Sequence, residues 1–133
     1  MYRSLKVDTA ATTPVFTTAQ AKEFLKVDVT TDDTLIDNLV AAATESCQIY
    51  TNQYFINTIV TQYSDNWKEF YSLYKSPVSA ITHVKYYDSD DSQQTLASSN
   101  YILDGTSKPA RIGLAVDGTL PTLADRINAV EVK

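Results

Sequence analysis

The chain has 133 residues, of which 44% are hydrophobic and 20% are charged, and these values are typical of one folded domain and exclude a disordered or fibrous chain. Its formal net charge of -5 arises from acidic residues concentrated in the middle of the sequence, which argues against a surface that grips nucleic-acid phosphates. The single cysteine excludes an internal disulfide, and no apolar run is long enough to span a membrane.

The N-terminal part predicts an arm followed by a short helix. Residues 1–14 are polar and rich in Thr and Ala, so we expect them to form a flexible arm within a single domain over residues 1–133. Thr17 with Gln20 three positions later matches a capping box, which predicts a helix start. On this short helix we expect Phe24 and Leu25 to face inward.

A long helix follows and completes a helical part predicted over residues 17–54. Thr31 is the expected N-cap, with Asp32 and Asp33 in the first turn, where negative charge favours the helix dipole. At about 100° per residue, several apolar side chains fall on one side and form a predicted core stripe. They are Ile36, Leu39, Val40, Ala43, Cys47, Tyr50 and Tyr54.

The same helix carries a second, narrower seam formed by Leu35, Ala42 and Ile49. These residues repeat every seven positions and lie about 100° to one side of the core stripe, a spacing typical of a helix that meets another helix. Two interpretations follow from the pattern. The seam is covered by the first helix or the sheet of the same chain, or it contacts a partner subunit.

Residues 56–133 change to the period-two pattern typical of strands. "NTIVTQYSDNW" and "EFYSLY" predict two strands, and "PVSAITHVKYYDSDDSQQTL" predicts a long strand that runs into an acidic hairpin tip. "NYILD", "ARIGLAV" and "INAVEVK" predict three more. The predicted class is therefore α+β, with one short and one long N-terminal helix followed by a mostly antiparallel β-sheet.

The sequence predicts no catalytic, cofactor-binding or metal site. Cys47 falls in the middle of the predicted core stripe, so we expect core packing, and His83 is expected to be a structural strand residue. The tip residues Asp88, Asp90 and Asp91 resemble the start of a calcium loop. The positions that need glycine and a bidentate glutamate hold Gln and Ser instead, which favours a solvated turn.

Taken in order, "AQAKEFLKVD", "TTDDTLIDNLVAAATESCQIYTNQYF", "SPVSAITHVKYYDSDD", "TLASSNYILD" and "KPARIGLAV" resemble the head-tail connector proteins of tailed phages, prophages and gene transfer agents. These are also called adaptor or head-completion proteins, and the resemblance covers residues 17–132. The matching positions are Leu25, Val27, Asp28, Asp32, Asp33, Ala41, Ala42, Pro77, Val78, Ile81, Val84, Tyr86 and Asp88.

The resemblance implies a structural virion protein with no enzymatic activity and no cofactor. Copies of such a protein assemble as a ring, usually of twelve, beneath the portal protein, and the ring extends the DNA channel and docks a neck stopper or tail protein. DNA passes through without specific binding, and no membrane is involved. The implied location is the neck of the virion, with the host cytoplasm as the site of assembly. The alternatives are another neck component, such as a stopper or tail-completion protein, and a small ligand-binding or enzymatic domain.

Within that role, two sets of residues are candidate functional positions. Leu35, Ala42 and Ile49 are the candidate subunit interface. Asp88, Asp90 and Asp91 either repel DNA at the channel or form a turn that contacts nothing. Relatives commonly continue past the last strand with a helical tail that grips the portal, whereas this sequence stops at "AVEVK". Either such a tail lies beyond the sequence given, or attachment uses the N-terminal arm and the body.

Overall fold

A computed structural model describes residues 4–133, with two helices placed ahead of most strands of an antiparallel sheet. The chain divides into a helical unit, Ala10–Thr58, and a sheet unit made of the described residues up to Thr9 together with Ile59–Lys133. Within the described residues, no helix is long and apolar enough to cross a bilayer. The predicted α+β class is confirmed, and the single domain over residues 1–133 stays a prediction.

The helical unit contains helix α1 (Thr18–Leu25) and helix α2 (Asp33–Thr51). The predicted capping box at the start of α1 is present. The Thr17 hydroxyl accepts a hydrogen bond from the Gln20 N–H at 3.3 Å, and the Gln20 side-chain oxygen accepts one from the Thr17 N–H at 2.9 Å. This reciprocal pair satisfies two N–H groups that have no partner inside the helix.

Helix α2 begins one residue later than the sequence indicated. Asp32, and not Thr31, is its N-cap, and the Asp32 side chain makes no capping hydrogen bond. The Asp33 N–H instead donates to the Thr30 carbonyl at 3.2 Å, so a turn occupies the position where the helix was expected to start. Helix α2 ends at Asn52, whose left-handed backbone (φ 55°) is typical of a helix C-terminus.

Two polar contacts tie α1 to α2. The Thr18 hydroxyl donates to an Asp37 carboxylate oxygen at 2.6 Å, and the Lys22 ammonium lies 2.7 Å from an Asp33 carboxylate oxygen. The two helices therefore meet along the side of α2 that carries these aspartates.

The sheet unit has seven strands, a short helix and a 3-10 turn. They are β1 (Ser4–Thr9), β2 (Ile59–Ser64), α3 (Trp67–Phe70), β3 (Val84–Tyr87), β4 (Gln93–Leu96), the 3-10 turn (Ser98–Asn100), β5 (Tyr101–Asp104), β6 (Arg111–Leu114) and β7 (Val130–Val132). Five strands form an antiparallel sheet in the order β1-β2-β7-β3-β4, and β5 pairs with β6 in a second sheet. The predicted acidic hairpin and the last three predicted strands are confirmed, but the long strand expected from Pro77 onward is wrong, since β3 covers only Val84–Tyr87.

A flexible arm was predicted over residues 1–14, but Ser4–Thr9 of this range form strand β1 instead. Its residues pair with β2 from Ser4 opposite Tyr63 to Thr9 opposite Ile59, so the backbone groups of this segment are held in a ladder. Residues 1–3 of that prediction lie outside the described residues. The reason for the error is distance along the chain, because the partner strand comes only after the whole helical unit.

The strand predicted at "EFYSLY" is also wrong. The Asn66 side-chain oxygen accepts a hydrogen bond from the Glu69 N–H at 3.2 Å and so caps the short helix α3. Beyond α3, the only bridge of this segment to a strand of the described chain joins Ser72 to Arg111.

The hydrophobic core lies in the sheet unit, on one face of the five-stranded sheet. Val132, Val84 and Leu96 are opposite one another in register, and paired residues share a face. Residues from α3, the segment that follows it and β6 complete the cluster. The buried members are Phe70, Leu73, Val84, Leu96, Ala110, Ile112, Val130 and Val132.

A buried glutamine holds the segment after α3 against the sheet. The Gln62 amide nitrogen donates to the Ser72 carbonyl at 3.0 Å, and the Gln62 amide oxygen accepts from the Tyr74 N–H at 2.8 Å. The Leu73 N–H donates to the Ala110 carbonyl at 2.9 Å. These bonds satisfy buried polar groups and fix Leu73 in the core.

Strand β1 is anchored by the carboxylate of Asp8, which lies where the β1–β2 register shifts. This carboxylate accepts a hydrogen bond from the Thr61 hydroxyl and is 3.2 Å from the Lys6 ammonium and 3.4 Å from the Lys133 ammonium. The Thr61 hydrogen bond, followed by those from the two lysines, lowers the pKa of Asp8 to about 2 from its ordinary value of 3.8.

Because the folded-state pKa of Asp8 is below its unfolded value, its stabilising effect is complete above about pH 4 and is lost as pH falls toward about 2. We therefore expect Asp8→Asn to lower the melting temperature relative to wild type at neutral pH. The difference between the two proteins should shrink between about pH 4 and pH 2. Thermal unfolding at a series of pH values measures this difference, and a constant gap across that range would contradict the assignment.

Candidate functional site

Helix α2 presents an exposed face that is apolar except for Ser46. Taking about 100° per residue, five apolar side chains fall within about 100° of one another. Ile49 is 70% exposed and Tyr50 is 92% exposed, and the others are also open to solvent. We call this face the exposed stripe; it consists of Leu35, Leu39, Ala42, Ile49 and Tyr50.

The core stripe predicted from the sequence is wrong, because most of its residues are not buried. Of that set only Ile36 is buried, whereas Leu39, Tyr50 and Cys47 are exposed. Core packing of Cys47 was therefore a wrong prediction. The period of the pattern was read correctly, but an amphipathic helix has the same period whether its apolar side is buried in its own chain or left for another surface.

The three seam residues remain exposed, so they contribute nothing to a core within the described chain. Leu35, Ala42 and Ile49 lie in one line along the exposed stripe, which Leu39 and Tyr50 widen. Sequence reasoning missed these two residues as part of the surface because it assigned them to the core. Of the two interpretations of the seam, cover by the first helix is not observed, and contact with a partner subunit stays a proposal.

Helix α1 and its flanks are equally open. Phe24 is 86% exposed, and Leu25, Phe16 and Val29 are also exposed, so the expectation that Phe24 and Leu25 face inward was wrong. Among the apolar residues of the helical unit, only Ile36 is buried. Large exposed apolar surfaces of this kind mark interaction sites. The helical unit therefore has more apolar surface than its own packing covers.

The acidic hairpin tip between β3 and β4 is built around one carboxylate. Asp88 accepts hydrogen bonds from the N–H groups of Ser92 and Asp90, each at 3.0 Å, and from the Gln94 amide at 2.9 Å. The Ser92 N–H and the Gln94 amide hold the pKa of Asp88 below its ordinary value. Asp88 is therefore a structural residue of the turn.

The other two tip aspartates differ from Asp88. Asp91 has a left-handed backbone (φ 59°) and pairs with Arg126 at 2.8 Å, and the Arg126 guanidinium stacks on Tyr87, 3.8 Å from the ring centre. The Asp90 side chain is exposed and forms no ion pair within the described chain. Part of the negative charge at the tip is thus neutralised, and the proposed effect on DNA stays a prediction.

The described residues contain no cluster that suggests enzymatic or metal chemistry. Across residues 4–133, no group of three or more His, Cys, Asp or Glu side chains is placed to hold a metal ion. His83 lies 2.8 Å from Glu131 across neighbouring strands, as a structural histidine does. In the shallow depression beside α1, Lys22 is already paired with Asp33. The exposed apolar surface of the helical unit instead points to the class of proteins that act through contacts with other proteins.

Comparison with known proteins identifies the family. The sequence profile of the family described as Phage gp6-like head-tail connector protein matches residues 17–109. The chain belongs to this family. It is therefore a structural protein of the connection between head and tail and not an enzyme. A search of curated proteins found no match.

Three solved structures share the fold. A chain in the neck of an empty gene transfer agent particle, computed with C6 symmetry, has 17% identity and a TM-score of 0.72, over 97% of this chain and 67% of that one. A chain in the virion of the native particle has 18% identity and a TM-score of 0.72, over 96% and 68%. A chain in the native neck, computed with C12 symmetry, has 17% identity and a TM-score of 0.62, over 96% and 66%. The chain thus spans about two thirds of each neighbour.

The contacts of Asp88 predict that the three tip aspartates are not equivalent. Asp88→Lys removes the acceptor for three hydrogen bonds, so we expect a lower melting temperature, with a smaller loss for Asp88→Asn, whose amide oxygen still accepts. The matched control, Asp90→Lys, should melt like wild type. Thermal unfolding of the three variants provides the measurement, and equal stability of the two Lys variants would show that Asp88 does not hold the turn.

Proposed function

We propose that this protein is the head-tail adaptor of its particle. In this proposal, copies assemble as a ring in the virion neck beneath the portal protein and extend the DNA channel. The lower side of the ring provides the docking platform for a neck stopper or tail protein. Membership in the head-tail connector family and the fold shared with chains of gene transfer agent necks support this role. In this proposal the protein meets the portal in the host cytoplasm during assembly.

The observation that carries the proposal is the exposed apolar surface of the helical unit. Ile36 is its only buried apolar residue, whereas Phe24, Ile49 and Tyr50 are largely exposed. A subunit that acts alone gains nothing from this arrangement, because exposed apolar surface favours association. Ring formation would remove it from water.

Ring symmetry gives the exposed stripe a specific role. A closed ring uses heterologous contacts, in which one face of a subunit meets a different face of its neighbour and the rotation closes. Each copy therefore needs two interaction surfaces besides its core. We propose the exposed stripe as one of them. The C6 and C12 symmetries of the similar gene transfer agent necks are both compatible with twelve copies, the number we propose here.

Passage of DNA needs no binding site in this scheme. The net charge of -5 disfavours contact with phosphates, and the acidic tip would add to the repulsion if it faced the channel. Asp90 is the tip residue best suited to this role, since Asp88 and Asp91 are engaged in local contacts. The alternative is that the tip is a solvated turn.

The exposed position of Ile49 predicts that assembly and folding can be separated. Ile49→Glu should melt close to wild type, since the side chain is 70% exposed, and should fail to form rings. The matched variant on the same helix, Ile36→Glu, places an unpaired charge at a position that is only 5% exposed. Its cost of several kcal/mol is large beside a total stability of roughly 5–15 kcal/mol.

Thermal unfolding together with electron microscopy of the protein mixed with its portal measures both effects. Ile49→Gln tests whether loss of the apolar group alone impairs assembly. Val116→Glu, an equally drastic change at an exposed residue of the sheet unit, controls for added charge. A collapsed melting temperature for Ile49→Glu would place Ile49 in the core, and normal rings would place the interface elsewhere.

We further expect the free protein to be a monomer or a weak oligomer, because neither helix has the uninterrupted apolar heptads of an obligate coiled coil. Docking on the portal should drive assembly by raising the effective concentration of neighbouring copies. Sedimentation of the isolated protein at micromolar concentration measures its state. A stable large ring without a partner would contradict this expectation.

A further inference from the structure

The helical unit is unusually poor in positive charge around its long helix. No Lys, Arg or His occurs between Lys26 and Lys68, so α2 carries only acidic ionisable side chains apart from the thiol of Cys47 and the phenol of Tyr50. Asp33 and Asp37 lie on the side of α2 that meets α1, so Glu45 is the acidic residue nearest the exposed stripe. Two such helices packed through their exposed stripes would place a Glu45 carboxylate from each copy at the border of the contact, with no positive side chain on either helix to pair with it. A surface that offers an unpaired positive charge beside apolar contact area suits the exposed stripe better.

Most acidic residues of α2 already have a partner inside the helical unit. Asp33 pairs with Lys22, and Asp37 accepts a hydrogen bond from Thr18. Glu45 is the exception: it is exposed and forms no hydrogen bond or ion pair within residues 4–133. Glu45 lies beside the exposed stripe, about 40° from Ile49 around the helix. It is thus a free carboxylate at the border of an apolar surface.

The complementary surface is the polar face of the five-stranded sheet, opposite the core. Tyr63, Glu131, Lys85 and Thr95 are opposite one another in register and therefore share this face. Lys6, which is opposite Thr61 in register, and Asp8, which accepts the Thr61 hydrogen bond, lie on it as well, and Lys133 pairs with Asp8. We call these residues, together with His83, the polar sheet face. It holds three lysines and two carboxylates.

The charges of the polar sheet face are paired except for one. Asp8 is shared by Lys6 and Lys133, and Glu131 pairs with His83. Lys85 is partly buried and forms no ion pair within the described chain. Burying charged side chains that are already paired has a lower desolvation cost than burying unpaired ones. An unpaired lysine that becomes buried in a contact therefore needs a carboxylate as its partner. The aliphatic stems of the lysines and the Tyr63 ring supply apolar contact area.

From this complementarity we propose that the exposed stripe of one copy docks on the polar sheet face of a second copy, with Glu45 pairing with Lys85 across the contact. The inference rests on the proposed ring and names the two faces that form it. Each copy offers one acidic apolar helix and one sheet face with surplus positive charge. The contact is therefore heterologous, as a closed ring requires.

The proposed pair of Glu45 and Lys85 can be tested with charge-reversal variants, studied alone and as a mixture. Glu45→Lys places a lysine at both ends of the proposed pair, and Lys85→Glu places a glutamate at both ends, so each variant should associate with itself roughly fivefold more weakly than wild type at low salt. When the two variants are mixed, every contact between unlike copies again joins opposite charges. Sedimentation velocity over a concentration series should then show association restored to the wild-type level in alternating assemblies.

The controls reverse the same charges elsewhere. Glu23→Lys and Lys108→Glu change exposed residues of α1 and of the β5–β6 connection and should associate like wild type, alone and mixed. Melting temperatures of all variants establish that they are folded. High salt should reduce the differences, since it screens the pair.

The possible outcomes distinguish failure of the Glu45–Lys85 pairing from failure of the proposed ring. If wild type shows no association even when concentrated and also forms no ring on the portal, the proposed ring contact fails; if it assembles only on the portal, the same variants and their mixture are compared there. If wild type associates but the two variants do so equally well, or if mixing does not restore association, the pairing is wrong. Loss of portal assembly in Glu45→Lys with normal assembly of Lys85→Glu would mean that another protein covers the exposed stripe, which also overturns the inference.

Discussion

The apolar surface of the helical unit is larger than the unit can bury, and this imbalance determines which part of the protein favours association with another surface. Two helices joined by polar contacts at Asp33 and Asp37 enclose one buried apolar side chain, Ile36. Helices of this length are marginally stable in water without tertiary packing. Covering this apolar surface in an assembly would add to the stability of the helical unit, which suits a protein that works as part of one.

The sheet unit compensates with a core that is independent of those surfaces. Phe70, Val84 and Val130 are fully buried, and Gln62 satisfies the backbone of the segment that places Leu73 beside them. The core of the sheet unit therefore stays the same whether the apolar surface of the helical unit contacts solvent or another protein. A sheet unit with its own core, together with a helical unit whose apolar surface is incompletely covered, is compatible with the proposed assembly of copies as a ring.

Features that depend on local chemistry were predictable from the sequence, and features that depend on distant partners were not. The capping box at Thr17 and the hairpin around Asp88 involve residues within a few positions of each other, and both are present. Strand β1 escaped prediction because its partner β2 follows the entire helical unit. The exposure of Leu39 and Cys47 could not be predicted either, since helical periodicity identifies the apolar side of a helix but does not say which surface, if any, covers it.

The position of β7 in the sheet has a consequence for synthesis. This strand lies between β2 and β3 and is the only link between the β1–β2 pair and the β3–β4 hairpin in the five-stranded sheet. During translation the two pairs emerge first and remain unconnected until residues 130–132 leave the ribosome. A nascent chain therefore cannot complete the five-stranded sheet before β7 has been made, and until then the edges of β2 and β3 that β7 will cover lack their partner. Chain order in this way makes the β1–β2 pair and the β3–β4 hairpin wait for a strand that is far from both in sequence.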